Sequence, residues 1–188
     1  VTKIGSSTSS YYYYGRCFRD CTSLTQITIP QNVKEIAYAT FYGCTSLTTI
    51  SVASGNTAYS SENGILYDRY KYTLHTYPIG KTGTVTIPAS VDEIAPYAFI
   101  YCDNLTQITI PSGVTVVEEY AFGYCDNLTH ITFQGSAPTI DNYAFYSVTA
   151  TVDYPVSDTT WTASMLKNYG GTLTWKADHR YENGACSG

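Results

Sequence analysis

Residues 94–111 read Ile94-Ala95-Pro96-Tyr97-Ala98-Phe99-Ile100-Tyr101-Cys102-Asp103-Asn104-Leu105-Thr106-Gln107-Ile108-Thr109-Ile110-Pro111. Twenty-three residues later the frame returns, from Val117 through Tyr120-Ala121-Phe122-Gly123-Tyr124-Cys125-Asp126-Asn127-Leu128-Thr129-His130-Ile131-Thr132-Phe133. Upstream copies are Thr40-Phe41-Tyr42-Gly43-Cys44-Thr45-Ser46-Leu47 and Cys17-Phe18-Arg19-Asp20-Cys21-Thr22-Ser23-Leu24, and a degenerate fifth keeps Ala144-Phe145. The Phe column is spaced 23, 58, 23 and 23 residues, the 58 being one period plus a 35-residue insertion. A second apolar column, Ile36, Ile94, Val117 and Ile140, precedes each Phe by five residues. Val1-Thr2-Lys3-Ile4 fits the same half-repeat, so the chain is expected to be a segment cut from something longer.

A unit of this length cannot bury its own apolar face, whereas stacked units bury one continuous core. The expected architecture is therefore a solenoid. Leu-x-x-Ile-x-Ile turns apolar residues inward and Thr outward, the period-two pattern of a strand. Pro30, Pro88 and Pro111 end those strands, because proline cannot donate to a ladder. The Ala-Phe-x-x-Cys stretch is predicted as a short helical or 3₁₀ turn with Phe and Cys inward. Ile4 and Phe18 are 14 apart instead of five, so Ser6 to Tyr14, including Tyr11-Tyr12-Tyr13-Tyr14, is predicted as an extra bulge or loop.

The pattern Ile-x-x-x-Ala-Phe-x-x-Cys-x-x-Leu-x-x-Ile-x-Ile-Pro, over about residues 1–152, resembles the BspA-like, or Treponema-type, leucine-rich repeat. Asn56 to Pro78 resembles the hairpin inserted in that family, and Asp158 to Trp175 resembles the end of its arrays. The resemblance implies an α/β fold leaning to mainly β. It would be a right-handed leucine-rich-repeat solenoid with one short parallel strand per repeat, helical or 3₁₀ turns, an inserted β-hairpin, and a cap helix plus strand. Residues 1–175 then form one domain, with the hairpin at about 54–84, the cap at about 154–175, and 176–188 as tail or linker. In the cap, Trp161, Met165, Leu166 and Tyr169 mark a helical face, Thr159 or Thr160 an N-cap, and Gly170 the stop.

Composition agrees. Charged residues make up 13% of the 188, against a usual ~25%. Tyr supplies 20 residues, and Tyr and Thr favour strands. A net charge of -5 argues against nucleic acid as a partner. No apolar run reaches the ~18 residues that insert into a membrane.

Chemistry-bearing residues are sparse. Cys21, Cys44, Cys102 and Cys125 share one repeat position and are expected to stack as an inward column of free thiols, since parallel Cβ vectors suit a disulfide poorly. Cys17 falls where other copies have Ala, a small core slot. His179 and Cys186 resemble half of a metal knuckle, but no metal or other cofactor is expected. Asp103, Asp126, Asn104 and Asn127 are expected to bond turn backbone. No nucleophile, base and orienter stand at motif spacing, so no catalytic residue is assigned and no enzyme is expected.

Two surfaces remain. The outward residues of the sheet, Gln26, Thr28, Thr49, Ser51, Gln107, Thr109, His130 and Thr132, form a flat polar face of the kind solenoids bind with. Tyr97, Tyr120 and Tyr143 share one repeat position, and Tyr101 and Tyr124 another, so they are expected to form aromatic ladders suited to an interface or to sugar rings. The resemblance implies a non-catalytic module, extracellular or at the bacterial cell surface, adhering to a host or microbial surface protein. The alternatives are a carbohydrate-binding accessory module that engages a glycan on the Tyr ladders, and a structural spacer.

Overall fold

A computed structural model describes residues 1–5 and 16–178. The tetra-tyrosine run, His179 and Cys186 lie outside the described residues. Two parallel ladders run along the molecule. The longer strands are β2 (Gln26–Ile29), β4 (Thr49–Val52), β9 (Gln107–Ile110), β11 (His130–Phe133), β13 (Thr149–Pro155) and β14 (Thr172–Asp178). The two-residue strands β1 (Lys3–Ile4), β3 (Glu35–Ile36), β8 (Glu93–Ile94), β10 (Val116–Val117) and β12 (Thr139–Ile140) carry the second apolar column. Register follows the repeat: His130 faces Gln107 and Ile131 faces Ile108, while Val117 lies between Ile94 and Ile140.

The stretches between the ladders use their backbone in an alternating way. The N–H groups of Ala98, Ile100 and Cys102 close turns onto Ala95, Tyr97 and Phe99. Those of Tyr97, Phe99 and Tyr101 instead cross to Glu119, Ala121 and Gly123 of the next rung, at 3.1, 2.7 and 3.0 Å. The left-handed backbone at Tyr97 and Tyr101, φ 61° and 57°, accompanies this alternation. Among the described residues a 3₁₀ assignment holds only at Arg16–Phe18.

Both ladders break at the insertion. Its strands β5 (Tyr59–Glu62), β6 (Ile65–Asp68) and β7 (Thr73–Thr76) form an antiparallel meander, one strand more than a hairpin, and β7 joins β8 in parallel. Side chains close the break. Ile36 donates its N–H to the Tyr59 hydroxyl at 2.8 Å, and its carbonyl accepts from His75 Nε2 at 3.0 Å. Asn56 is buried and fully used: its amide donates to Pro30 and Val33 carbonyls, and its oxygen accepts from Ala58 and Tyr59.

The core is correspondingly double. Ile4, Ile29, Val33, Ile36, Phe41, Cys44, Leu47 and Ile50 form one cluster, completed by Leu66. Ile65 and Tyr67, flanking Leu66 on β6, belong to the other. Strand alternation thus sends neighbouring side chains of one inserted strand into two cores. The Phe column is likewise interrupted: Phe18 stacks on Phe41, and Tyr77, Phe99, Phe122 and Phe145 stack at 4.8–5.2 Å.

Three expectations need correction. Residues 158–170 form consecutive turns, not a cap helix. Their polar groups serve the neighbouring rung: Thr160 Oγ1 accepts from Ala137 N, Trp161 Nε1 donates to Gly135 O, and Tyr169 O accepts from Phe145 N. The segment's own N–H groups close tight turns, Trp161 onto Asp158, Thr162 onto Thr160 and Met165 onto Thr162, in place of the four-residue spacing of a helix. Trp161 and Tyr169 are still buried, so the segment caps the core without being helical. Cys17 is exposed rather than in a core slot, standing on the outermost described turn. Strand β14 runs to Asp178, three residues past the boundary read from sequence.

Candidate functional site

The sheet face is divided. Gln26, Thr28, Thr49 and Ser51 lie on the pair β2–β4, and Gln107, Thr109, His130 and Thr132 on the separate sheet β9–β11–β13–β14. The structure does not bring the eight residues into one sheet. The larger sheet gains rows that the sequence reading stopped short of. Thr151 and Thr174 extend the line of Gln107 and His130, and Asp153 and Lys176 extend that of Thr109 and Thr132. The signal was present as alternation around Ala150 and Val152, hidden because that copy lacks the Cys and Leu marks. Across β11 and β13, His130 Nε2 and Asp153 Oδ2 are 2.9 Å apart, so the polar face contains an imidazole–carboxylate pair.

The tyrosines stack as the register requires. Tyr97–Tyr120 and Tyr120–Tyr143 centroids are 5.5 and 5.8 Å apart with planes within 9°, and Tyr101–Tyr124 are 4.7 Å apart and parallel within 1°. Tyr146 tilts against Tyr120, Tyr124 and Tyr143, joining both ladders into one wall. Rings stacked this way cover one another's faces and present edges and hydroxyls to solvent. Burial raises the pKa of Tyr101, Tyr120 and Tyr124, with neighbouring phenols and carboxylates adding to it. Burial likewise pushes the Cys44 and Cys102 thiols up, and Cys125 to about 12, so these inward thiols are held protonated. The five described cysteines are all free thiols.

A third feature was not legible in the sequence. The insertion brings Tyr77 into the Phe column, but the stretch from Tyr77 to Pro88 is one residue shorter than that from Phe99 to Pro111 and opens with a tight turn in which the Lys81 N–H donates to the Pro78 carbonyl. Beside this tighter turn a cleft of about 360 Å³ opens between Tyr42, Gly43 and Thr45 on one wall and Tyr101, Asp103 and Asn104 on the other, with Ile79 also lining it. Among the described residues no group of three His, Cys, Asp or Glu is placed to hold a metal ion. Asp103 and Asn127 bond turn backbone: Asn127 donates to the Asp103 carbonyl at 2.8 Å, and Asp126 N to the Asp103 carboxylate at 3.4 Å.

Comparison with known proteins places these features in context. Residues 1–66 and 77–169 match a model described as BspA type leucine rich repeat region, in six copies. The fold is similar to a crystal structure of the pneumococcal vaccine antigen PcpA, with TM-score 0.65 and 17% identity, over 82% of this chain and 45% of that one. It is similar to a leucine-rich repeat protein of Eubacterium ventriosum, with TM-score 0.55 and 25% identity, over 82% and 49%. It also resembles a leucine rich cell surface protein of Faecalibacterium prausnitzii, with TM-score 0.55 and 23% identity, over 83% and 49%. The chain spans less than half the length of each of these. No curated protein matches the sequence.

Proposed function

The chain belongs to the BspA-type leucine-rich repeat family, and from that premise we propose that it is a non-catalytic recognition module of a bacterial surface protein, binding a protein partner through the larger sheet. The observation that carries this reading is the four-strand polar face of Gln107, Thr109, His130, Thr132, Thr151, Asp153, Thr174 and Lys176. Its backbone is fixed by continuous parallel pairing, so a partner meets preordered side chains and little ordering entropy is lost on binding. The names of two structural neighbours, a vaccine antigen and a cell surface protein, support a surface location.

The test is saturable binding to immobilised extracellular-matrix proteins and intact epithelial cells, comparing the wild type with the triple variant Gln107→Ala, Thr109→Ala, His130→Ala. The proposal expects binding that the variant weakens about tenfold or more. Absence of any binding selects the spacer reading. Binding that the variant retains moves the contact to the tyrosine wall, whose exposed Tyr143 and outward hydroxyls favour it as a second protein-contacting surface.

A further inference from the structure

We propose that the cleft at the shortened rung is a binding site for one sugar ring of a neutral glycan, distinct from the polar sheet face. Along the array the N–H at the left-handed position after each Phe crosses to the next rung. Asp20 donates to Tyr42, Tyr101 to Gly123, Tyr124 to Tyr146 and Ser147 to Gly170. Gly43 occupies the same position, with φ 73°, yet its N–H has no acceptor among the described residues, and the carbonyl at the equivalent place on the next rung, that of Pro78, accepts from Lys81 instead. Asn104 is the counterpart of Asn127, whose amide bonds the rung before it, and the Asn104 side chain has no partner among the described residues. The shortened turn therefore leaves a fixed backbone donor on one wall and an unused side-chain amide on the other.

The lining selects the ligand class. Thr45, Asn104, Asp103 and the Gly43 N–H supply both donors and acceptors, which matches hydroxyl groups that act as both. Tyr101 is backed by Tyr124 on one face and held by Tyr42, edge-on at 5.2 Å, so it is a rigid aromatic wall; with Ile79 it offers apolar surface to the C–H side of a pyranose. Among the described residues no Lys or Arg lines the cleft and one carboxylate does, which disfavours anionic ligands. The uninterrupted Tyr ladder lacks this geometry, since each ring there is covered by the next.

The test is an amide chemical-shift titration of the full 188-residue chain with maltose, cellobiose, lactose and N,N′-diacetylchitobiose as probes. At least one saccharide should shift the Gly43, Thr45, Asp103 and Asn104 amides with a Kd of about 1 mM. Tyr101→Ala should weaken it about tenfold, Thr45→Trp, on an exposed turn, should block it by filling the cleft, and Tyr143→Ala should leave it unchanged. The triple variant of the sheet face should also bind normally, which separates this site from the protein-binding reading. The proposal is overturned if none of the four shifts these amides at about 10 mM, if binding survives both Tyr101→Ala and Thr45→Trp, or if a blocked dipeptide binds there and no saccharide does.

Discussion

Tyr120 shows what a single residue contributes here. Its φ of 51° is a conformation that costs an L-residue about 1 kcal/mol and that glycine adopts freely. Tyrosine is nevertheless present because its ring is stacked between Tyr97 and Tyr143. Tyr120→Ala keeps the backbone cost and loses both stacks, whereas Tyr120→Gly loses the stacks and relieves the cost. The glycine variant should therefore be more stable than the alanine variant by about 1 kcal/mol in urea unfolding, reversing the usual order in strands and helices. If alanine proves the more stable, the left-handed strain is not there. His75 carries a different liability. Burial lowers its pKa from 6.5 to about 4, opposed only in part by the bond to the Ile36 carbonyl. The unfolded chain takes up a proton near pH 6.5 that the folded chain refuses, so the contribution of neutral His75 is complete above that pH and is lost as pH falls toward 4. The shift corresponds to about 3 kcal/mol. The stability difference between wild type and His75→Phe should change by that order between pH 7 and 4; a difference independent of pH would remove His75 as the group responsible.

At the scale of elements, the insertion matters more than the repeats it interrupts. Leu66 is completely buried in the N-terminal core while Ile65 and Tyr67 fill the C-terminal one. Leu66→Ala should cost about 2–5 kcal/mol, charged almost entirely to the N-terminal rungs. Native-state hydrogen exchange should then show faster exchange at Ile27 and Ile50 with Ile108 and Ile131 unchanged; equal losses in both groups would mean a single cooperative unit. The element order was readable because Phe recurs at the 23-residue interval on either side of the insertion, with Cys and Ile at fixed offsets in most copies. The short turn was not, since Tyr77-Pro78-Ile79-Gly80 shares no letter with Ala-Phe-x-x-Cys, and only the approximate offset from Tyr77 to Phe99 betrays it. The cap misled for another reason. Trp161, Met165, Leu166 and Tyr169 have helical spacing, but the backbone between them closes in tight turns while Thr160 and Trp161 side chains anchor it to the previous rung.

For the whole molecule, the repeat dictated a solenoid, and the structure places its strands in the registers that period demands. The candidate surface was legible only rung by rung. Gln107 and His130 could be read as neighbours, but their separation from Gln26 and Thr49 depends on how the insertion packs, and Asp153 depends on a strand whose repeat letters have been lost. The double core has one more consequence, which concerns force. Pulled from its two ends, most of this array bears load through backbone ladders stacked rung upon rung. At the insertion a regular ladder is replaced by β6, the side chains of Tyr59, His75 and Asn56, and two isolated backbone bonds, Ile50 N–H to Gly64 O and Gly80 N–H to Leu47 O. The join should be the weakest link of the tether, so single-molecule pulling is expected to lengthen the chain in two separate steps, the rungs up to β4 giving way while the tyrosine-walled half still holds; one single step would show that the join is as strong as the ladders.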